Sequence, residues 1–387
     1  MRIAIRIVQI FVGLLFIVSG LVKANDPIGL GYKMQEFFEL WSAGATPGSF
    51  LAQTLHNLHE ASLALSVAMI TLEIMAGVAL LLGWKKKFIL WLLLLLIIFF
   101  TFLTGYAYLS GKFTNCGCFG DCIPITPFTS FLKDVVLLVM ILFLLVGQRY
   151  IRPILSATGR SVVLLVTLIF SLGLQWYVLN YLPIMDCLPF KKGNNIAEKM
   201  KAPPGAVPDS FAIRFIYEKG GKQYEFAPEN LPADFTTYKF IDRKQTLVRK
   251  GNAKSPINDF SLVGTTKDSI TGNTIDSTQI ILSQPKVLLI FALDFKDASW
   301  VAQTKELLNR AKEKKIPVYV LSPNVEEAAK AFHGMNNLQF FNTDFTVVRT
   351  VARTNPTILL LGAGTVEQKW SKKEINKAVG YVASMKS

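Results

Sequence analysis

Five long apolar stretches constrain this 387-residue chain more than any other feature. The clearest of them contains the run from Ile89 to Phe100, which no polar residue interrupts. A membrane-spanning helix needs about 20 mostly apolar residues, because the hydrocarbon layer of a bilayer is about 30 Å thick. The sequence therefore predicts five spanning helices, at residues 3–22, 61–84, 88–109, 128–147 and 161–182.

Charge is unevenly distributed along the chain. Residues 1–187 carry 12 basic and 8 acidic side chains, whereas residues 188–387 carry 29 and 19. The second part therefore has the composition of an aqueous domain that follows a membrane domain. The formal net charge of +14 does not indicate a nucleic-acid partner, because the basic residues are scattered among acidic ones. The lipid bilayer is the first partner that we expect.

Basic residues in three short segments predict the orientation in the membrane. Residues 1–6, 85–87 and 149–160 hold eight basic residues and no acidic one. The positive-inside rule places this side in the cytoplasm, so that the N-terminus is cytoplasmic and everything after Leu182 is extracytoplasmic. The alternative, a cleaved signal peptide at the first span, is less favoured because residues 19–26 make a poor cleavage site. We expect a multi-pass protein of the bacterial inner membrane, with its C-terminal domain in the periplasm.

All four cysteines fall on the extracytoplasmic side in this topology. Cys116, Cys118 and Cys122 lie in the loop between spans three and four, and Cys187 follows span five. Disulfides are the default expectation in an oxidising compartment. Four cysteines allow three complete pairings, and the sequence does not choose among them.

The spacing of the first two cysteines favours redox chemistry. Only Gly117 separates Cys116 from Cys118, so a bridge between them closes a small strained ring that is easily reduced. Lys112 and Lys133 favour the thiolate by their charge. Two alternatives stay open, namely bridges to Cys122 or Cys187 that only pin the loop, and a metal site that uses His56 and His59. Knuckles typical of zinc sites are absent from the sequence, and we predict no metal.

One acidic residue falls inside a predicted span. Glu73 lies about 12 residues into the second span, near the bilayer centre, where a charge is costly and is usually paired or functional. One interpretation is a carboxyl group that handles protons or contacts a quinone. The other is a structural group that is bonded to Ser19 or Gln9. We identify no basic residue at the same depth and therefore expect Glu73 to be protonated or hydrogen-bonded.

The aqueous half begins with a predicted linker at residues 194–208, which contain three prolines. Gly220 and Gly221 then separate two strand-like runs, at 211–217 and 223–226, as in a β-hairpin. From residue 257 the order of elements is strand, strand, helix, strand, helix, a two-strand hairpin and a helix. The expected ranges are 258–263, 286–292, 299–315, 316–321, 325–333, 357–361 with 366–370, and 372–384.

Two groups of residues in the membrane half resemble known families. Residues 13–23 with Asp26 and Pro27 look like the first helix of DoxX-type membrane proteins. Residues 116–120, followed by 131–134, resemble the related MauE-like proteins. The resemblance covers about residues 1–150 as a four-helix bundle. It implies a role in thiol–disulfide chemistry or in the maturation of exported proteins.

The architecture is also similar in outline to bacterial vitamin K epoxide reductase homologues, in which a four-helix bundle is fused to a thioredoxin domain. Their CxxC motif within the membrane is missing here, so a quinone mechanism does not carry over. No cofactor is evident, and no specific motif supports a quinone.

The C-terminal part resembles thioredoxin-like domains of the TlpA and peroxiredoxin type. Residues 353–360 match the segment that carries the cis-proline of that fold, which implies a cis peptide bond before Pro356 and a substrate-binding edge at Asn355 and Pro356. Residues 293–300, where the family has its CxxC, contain no cysteine. We therefore expect a client-docking surface or, alternatively, an inert cap.

The sequence thus predicts a membrane α-helical bundle, with a four-helix DoxX/MauE-like core and a fifth spanning helix, followed by an α/β thioredoxin-like domain. The expected divisions are 1–150, 151–187, 188–256 and 257–387. The expected function is extracytoplasmic thiol–disulfide redox or maturation of exported client proteins through the loop with Cys116 and Cys118, with Cys122 or Cys187 as resolving partner. The alternative is a non-catalytic scaffold with structural disulfides, and the sequence leaves open whether the chain is an enzyme.

Overall fold

The computed structural model describes residues 1–111, 120, 122–123, 125–207, 210–232, 234–249, 251, 253, 255–267, 274–335 and 338–385. Five of its helices are long and apolar enough to cross a membrane, which confirms the five predicted spans to within four residues at each end. The helices up to residue 187 are α1 (Arg2–Ala24), α2 (Pro27–Ser42), α3 (Phe50–Glu60), α4 (Ser62–Leu82), α5 (Lys86–Ser110), α6 (Pro127–Val146) and α7 (Ala157–Asn180).

Helices α2 and α3 were not predicted, although both have recognisable starts. Asp26 and Ser49 cap them, because each side chain accepts a backbone N–H of the first turn, and Pro27 occupies the first position of α2. Helix α2 lies against the beginning of α4, where the hydroxyl of Ser66 donates to the carbonyl of Pro27 at 2.7 Å. The segment between the first two spans is therefore folded onto the bundle.

Helices α1 and α4 are in close contact along the centre of the bundle. A Cβ atom at Gly77 would lie 2.8 Å from the carbonyl oxygen of Gly13, so that only a glycine permits this approach. Val12, Phe16 and Leu80 belong to the buried core around the contact. The position of Lys23 and Glu73 follows from this antiparallel pairing.

The three basic segments of the sequence meet at one end of the bundle. The guanidinium of Arg2 lies 5.9 Å from the ring centre of Tyr150, and the ammonium of Lys86 donates to a carbonyl in the turn after α6 at 3.0 Å. We call this end the basic end. The opposite end, where Asn25 lies beside Cys122, is called the cysteine end. The three basic segments therefore lie on one side of the bundle, and that this side faces the cytoplasm stays a prediction.

The second part of the chain contains two sheets. A three-stranded sheet has the order β2-β1-β3, and a seven-stranded sheet has the order β10-β9-β6-β7-β8-β4-β5. The strands are β1 (Ser210–Lys219), β2 (Lys222–Phe226), β3 (Lys239–Arg249), β4 (Val263–Lys267), β5 (Thr274–Asp276), β6 (Val287–Phe291), β7 (Val318–Ser322), β8 (Gln339–Asn342), β9 (Thr357–Gly362) and β10 (Thr365–Ser371). The helices are α8 (Ile196–Lys199), α9 (Thr278–Leu282), α10 (Ser299–Glu313), α11 (Val325–Ala331), α12 (Phe345–Val351) and α13 (Ile375–Ser384).

The larger sheet is covered on both faces, and we call it and its helices the α/β domain. Strands β6, β7 and β8 are parallel, whereas β9 runs antiparallel to β6. Alternate residues of β6 enter two separate cores: Leu288 packs with residues of α10 and α13, and Leu289 packs with residues of α12. A strand that is buried on both faces reads as an unbroken apolar run, which is why the sequence revealed it.

Three expectations for the second part differ from the structure. Residues 258–262 form no strand, because the amide of Leu262 bonds to the hydroxyl of Thr278 at 2.8 Å instead of to a neighbouring strand. Strand β8 and helix α12 stand between α11 and β9, where none was predicted. The predicted linker at 194–208 begins within the α/β domain, since Ile196 is buried in the core and its amide donates to the carbonyl of Gly364 at 2.8 Å.

Candidate functional site at the cysteine end

Two of the four cysteines form a disulfide at the cysteine end. Cys122 and Cys187 are bonded, with their Cα atoms 4.9 Å apart and a sequence separation of 65. This bond joins the loop between α5 and α6 to the segment that leads from α7 into the α/β domain. Cys116 and Cys118 lie outside the described residues, and their expected role as the reactive pair stays a prediction.

Asn25, directly after α1, holds both partners of this disulfide in place. Its side-chain amide donates to the carbonyl of Met185 at 2.8 Å, and its oxygen accepts from the amide of Met185 at 3.0 Å. The same amide nitrogen lies 3.9 Å from the sulfur of Cys122. A reciprocal pair of bonds to one backbone residue fixes the segment at 181–187 on the end of α1.

Asp26 connects the end of α1 to the α/β domain. The Nε of Arg353 lies 2.9 and 2.8 Å from the two carboxylate oxygens of Asp26, and both side chains are largely buried, 4% exposed for Arg353 and 12% for Asp26. Asp26 also accepts from the amide of Gly29 at 3.0 Å, which caps α2. One carboxylate therefore holds α2 and the α/β domain together.

Arg349, one turn before Arg353, extends the contact along α2. Its guanidinium donates to the side chain of Gln35 at 2.8 Å and lies 4.4 Å from the ring centre of Tyr32. Burial raises the pKa of the Tyr32 phenol above its usual range, although the charges of Arg353 and Arg349 oppose the shift. Arg349 on α12 and Arg353 just after it thus both contact the side of α2 that carries Tyr32.

A second ion pair anchors the α/β domain beside the disulfide. The ammonium of Lys369, on β10, lies 2.8 Å from a carboxylate oxygen of Asp186, the residue before Cys187. Burial lowers the pKa of Lys369, and the charge of Asp186 opposes that shift. We call the set of Asn25, Asp26, Asp186, Arg353 and Lys369 the junction.

The predicted cis-proline is present close to the junction. The peptide bond between Asn355 and Pro356 is cis, as expected, and Pro356 is buried. The side chain of Asn355 accepts from the amide of Leu293 at 3.1 Å and donates to the carbonyl of Asp294 at 2.8 Å. Asn355 therefore fixes the loop after β6, and its expected contact with a substrate stays a prediction.

Glu73 has a basic partner, contrary to our expectation. The ammonium of Lys23 lies 2.9 and 2.7 Å from the two carboxylate oxygens of Glu73, and both side chains are about 5% exposed. It also lies 4.6 Å from the ring centre of Phe100. The expected bond from Gln9 is not formed, because Gln9 donates to the carbonyl of Leu80 at 2.7 Å. The expectation was wrong because α4 extends beyond the end of α1. The last turn of α1, which carries Lys23, therefore lies level with Glu73 in the middle of α4.

A further buried carboxylate follows the cysteine-bearing loop. Asp134 on α6 accepts from the hydroxyl of Thr104 on α5 at 3.0 Å and lies 2.5 Å from the ammonium of Lys133. The expected effect of Lys112 and Lys133 on a cysteine thiolate stays a prediction, because Lys112, Cys116 and Cys118 lie outside the described residues. The hydrogen bond between Thr104 and Asp134 joins the two helices that flank the loop.

The two histidines considered as metal ligands lie apart from the cysteines that the structure describes. His59 on α3 has its Nε2 2.9 Å from a carboxylate oxygen of Glu39 on α2, and His56 is exposed. Within the described ranges, no group of three or more histidine, cysteine, aspartate or glutamate side chains could hold a metal ion. His59 therefore has a visible structural role between α2 and α3.

The fold and the junction define a class of protein: a multi-pass membrane protein whose C-terminal sheet-containing region is anchored on one end of its helix bundle. Residues 1–147 match the family described as methylamine utilisation protein MauE, so the first four spanning helices are MauE-like. Residues 211–250, which include the three-stranded sheet, match a domain of unknown function, DUF8463. No curated protein and no solved structure matches the chain.

Proposed function

We propose that the chain exchanges thiols and disulfides with exported client proteins at the extracytoplasmic face of the bacterial inner membrane. Cys116 and Cys118 are the reactive pair in this proposal, and the bonded Cys122 and Cys187 are the resolving pair. The observation that carries it is the position of the Cys122–Cys187 disulfide, which lies at the junction between the MauE-like helices and the α/β domain. The resemblance to MauE-like proteins, which implies a role in thiol–disulfide chemistry, supports the same proposal, and residues 1–147 match that family.

The bond between Cys122 and Cys187 leaves one way to complete the pairing. The chain has four cysteines, so in this proposal the reactive bridge is the one between Cys116 and Cys118, which a single glycine separates in sequence. Such a small ring favours reduction, whereas the second bridge closes a segment of 65 residues. This difference supports distinct roles for the two pairs, with the first exchanging readily and the second more slowly.

The exchange balances without a cofactor. A client thiolate attacks one sulfur of the Cys116–Cys118 bridge, the sulfur–sulfur bond breaks, and the other cysteine leaves as a thiolate. The second client thiolate then displaces the first cysteine, so that the client is oxidised and the cysteine pair is reduced. The reverse sequence reduces a client disulfide. Exchange with Cys122 and Cys187, and then with an external extracytoplasmic thiol or disulfide protein, restores the starting state.

The α/β domain is the client-docking module in this proposal. Its order of elements, with a cis peptide bond directly before β9, supports a thioredoxin-like fold. The loop at 293–300 has no cysteine, so the domain contributes binding and not sulfur chemistry. Arg353, three residues before Pro356, is bonded to Asp26 and thereby keeps the cis-proline edge near the disulfide.

Exchange kinetics test the proposal directly. The full chain is reconstituted in liposomes and mixed with a fluorescent peptide that carries two cysteines, in its reduced and its oxidised form. We expect wild-type protein to accelerate exchange, and the double variant Cys116→Ser with Cys118→Ser to return it to the uncatalysed rate. An unchanged rate in that variant rejects the proposal. With the reduced peptide alone and an external disulfide protein as the final oxidant, the variant Cys122→Ser with Cys187→Ser should support one turnover and then slow down, because its Cys116–Cys118 pair is no longer reoxidised through Cys122 and Cys187.

A non-catalytic scaffold is the second candidate, and the junction is the observation that favours it. Asn25 and Lys369 hold the residues next to Cys187 from two sides, as expected for a structural staple. Thiol labelling in intact membranes separates the two functions. After mild reduction, a catalytic pair is labelled first at Cys116 and Cys118, whereas structural staples react only after denaturation.

A further inference from the structure

A long apolar groove runs between α4, α5 and α7. Its volume is about 1190 Å³, and it is open along one side to the surroundings of the bundle. Its walls are formed almost entirely by aliphatic side chains, for example Ala68 and Met75 on α4, Leu92 on α5 and Leu168 on α7. Because the three helices are long enough to cross a bilayer, the groove has the shape and the lining to hold acyl chains.

The two ends of the groove differ in charge, because one is lined by an acidic residue and the other by neutral residues next to basic ones in sequence. Glu60 lines it at the cysteine end, whereas Trp84, Phe88 and Ser161 line it at the basic end. An anion is therefore repelled at one end and has no acidic neighbour at the other, since residues 83–88 and 147–161 contain no aspartate or glutamate. Tryptophan is enriched where a helix crosses the boundary between hydrocarbon and headgroups, and Trp84 occupies that place here.

Two cations at the basic end have no acidic partner. The Nε of Arg160, next to Ser161, is buried and makes no hydrogen bond among the described residues. The ammonium of Lys85 lies 5.0 Å from the ring centre of Trp84, and no salt bridge within the described ranges includes it. Lys85 lies in the turn between α4 and α5, and Arg160 lies in the first turn of α7. The segment that leads into α7 contacts the end of α4, because the amide of Ile154 donates to the carbonyl of Leu82 at 3.4 Å.

We propose that this groove binds a phospholipid with an anionic headgroup. The acyl chains lie along α4, α5 and α7, and the phosphate is held at the basic end by Arg160 and Lys85 beside the ring of Trp84. Basic pockets between spanning helices select anionic over zwitterionic lipids, because each cation near the surface adds a similar increment of binding. This binding site is independent of the thiol–disulfide function.

Lipid titration of the full chain tests the inference. Detergent-solubilised protein is titrated with phosphatidylglycerol or phosphatidylcholine of the same acyl chains, and bound lipid is counted by native mass spectrometry. We expect wild type to prefer phosphatidylglycerol. Arg160→Gln and Lys85→Gln should each weaken phosphatidylglycerol binding about fivefold and leave phosphatidylcholine unchanged. The control Lys87→Gln removes the same charge from an exposed neighbouring position and should retain the preference.

Two further measurements distinguish binding of a whole phospholipid from binding of a free phosphate ion. Ala68→Phe fills the groove and should weaken binding of both lipids, whereas inorganic phosphate at millimolar concentration should displace neither. Equal affinity of wild type for the two lipids overturns the inference. An unchanged preference for phosphatidylglycerol in both Arg160→Gln and Lys85→Gln also overturns it. Displacement of the bound lipid by inorganic phosphate overturns it as well, because that result indicates a simple anion site. Thermal unfolding of each variant without added lipid shows whether it is folded.

Discussion

The carboxylate of Asp26 and the Nε of Arg353 lie 2.8 to 2.9 Å apart, although 327 residues separate them in sequence. Asp26 is at the start of the second helix, and Arg353 is three residues before the cis-proline of the α/β domain. The pair is shielded from solvent and is flanked by Tyr32 and Arg349. The position of the α/β domain over the disulfide therefore depends on a short sequence at the end of the first spanning helix.

Asp26→Asn should detach the α/β domain without unfolding α2. Asparagine still caps a helix, so the bond to the amide of Gly29 is retained, whereas the buried guanidinium of Arg353 no longer faces a negative charge at residue 26. Breaking a buried ion pair on one side costs about 3–5 kcal/mol. Hydrogen exchange should therefore increase at residues 345–353 in the full chain.

A surface pair provides the control for this experiment. Asp234 and Lys219 are joined by a similar distance, 2.7 Å, but are about half exposed. Exposed ion pairs contribute little to stability, so Asp234→Asn should leave the exchange at 345–353 unchanged. An equal response to the two substitutions contradicts the assigned role of Asp26.

Glu73→Gln should destabilise the helix bundle by about 3–5 kcal/mol, because it leaves the buried ammonium of Lys23 unpaired. The double variant Lys23→Met with Glu73→Met removes both charges and should regain most of the loss. The unfolding temperature in detergent is measured for wild type, for Glu73→Gln and for the double variant. If the double variant also retains thiol exchange, the Lys23–Glu73 pair serves only to hold α1 against α4. Loss of thiol exchange in a stable double variant supports proton handling by Glu73 instead.

How much of the fold could be predicted from the sequence depends on whether each element carries its own local signal. The five spans were predictable because each apolar run carries its own evidence over about 20 residues, as the uninterrupted segment from Ile89 to Phe100 illustrates. The buried strand β6 was predictable for the same reason. Strand β8 has only four residues and α12 only seven, which is too short for a periodic pattern to stand out.

The junction was not predictable, because its contacts join distant parts of the chain. Asp26 and Arg353 each appeared within a family-like motif, but nothing near either residue identifies the other. The same holds for the cysteines, where spacing alone left three pairings open. The predicted first span ended at residue 22, so Lys23 fell just outside it, whereas α1 includes Lys23. Its bond to Glu73 depends on the relative shift of α1 and α4, which only packing determines.

Removal of the Cys122–Cys187 disulfide should loosen the connection between α7 and the α/β domain. The bridge spans 65 residues, and the double variant Cys122→Ser with Cys187→Ser should lose about 2–4 kcal/mol of stability. Wild type treated with a reductant should unfold at the temperature of the variant. The matched variant Cys116→Ser with Cys118→Ser should unfold at the wild-type temperature, and an equal drop in both variants contradicts separate roles.

High pH should weaken the contact between α2 and α12. Burial raises the pKa of Tyr32 above the unfolded value of 10.0, so the stability that its neutral form contributes is complete below pH 10. This contribution is lost as the pH rises from 10 through the folded pKa. Hydrogen exchange at residues 345–353 should therefore increase above pH 10, and Tyr32→Phe should remove that part of the pH dependence. An identical pH profile in wild type and Tyr32→Phe contradicts the assignment.

Gly77→Val should separate the first and fourth helices and thereby disturb the bond between Lys23 and Glu73. Its Cβ would meet the backbone oxygen of Gly13 at 2.8 Å, and backbone cannot move aside as a flexible side chain does. The spanning-helix glycine Gly173 offers a matched control, since nothing lies within 4 Å of a Cβ built there. Gly173→Val should leave the unfolding temperature in detergent within a few degrees of wild type, whereas Gly77→Val should lower it strongly. Equal unfolding temperatures for the two variants are incompatible with the close contact of α1 and α4.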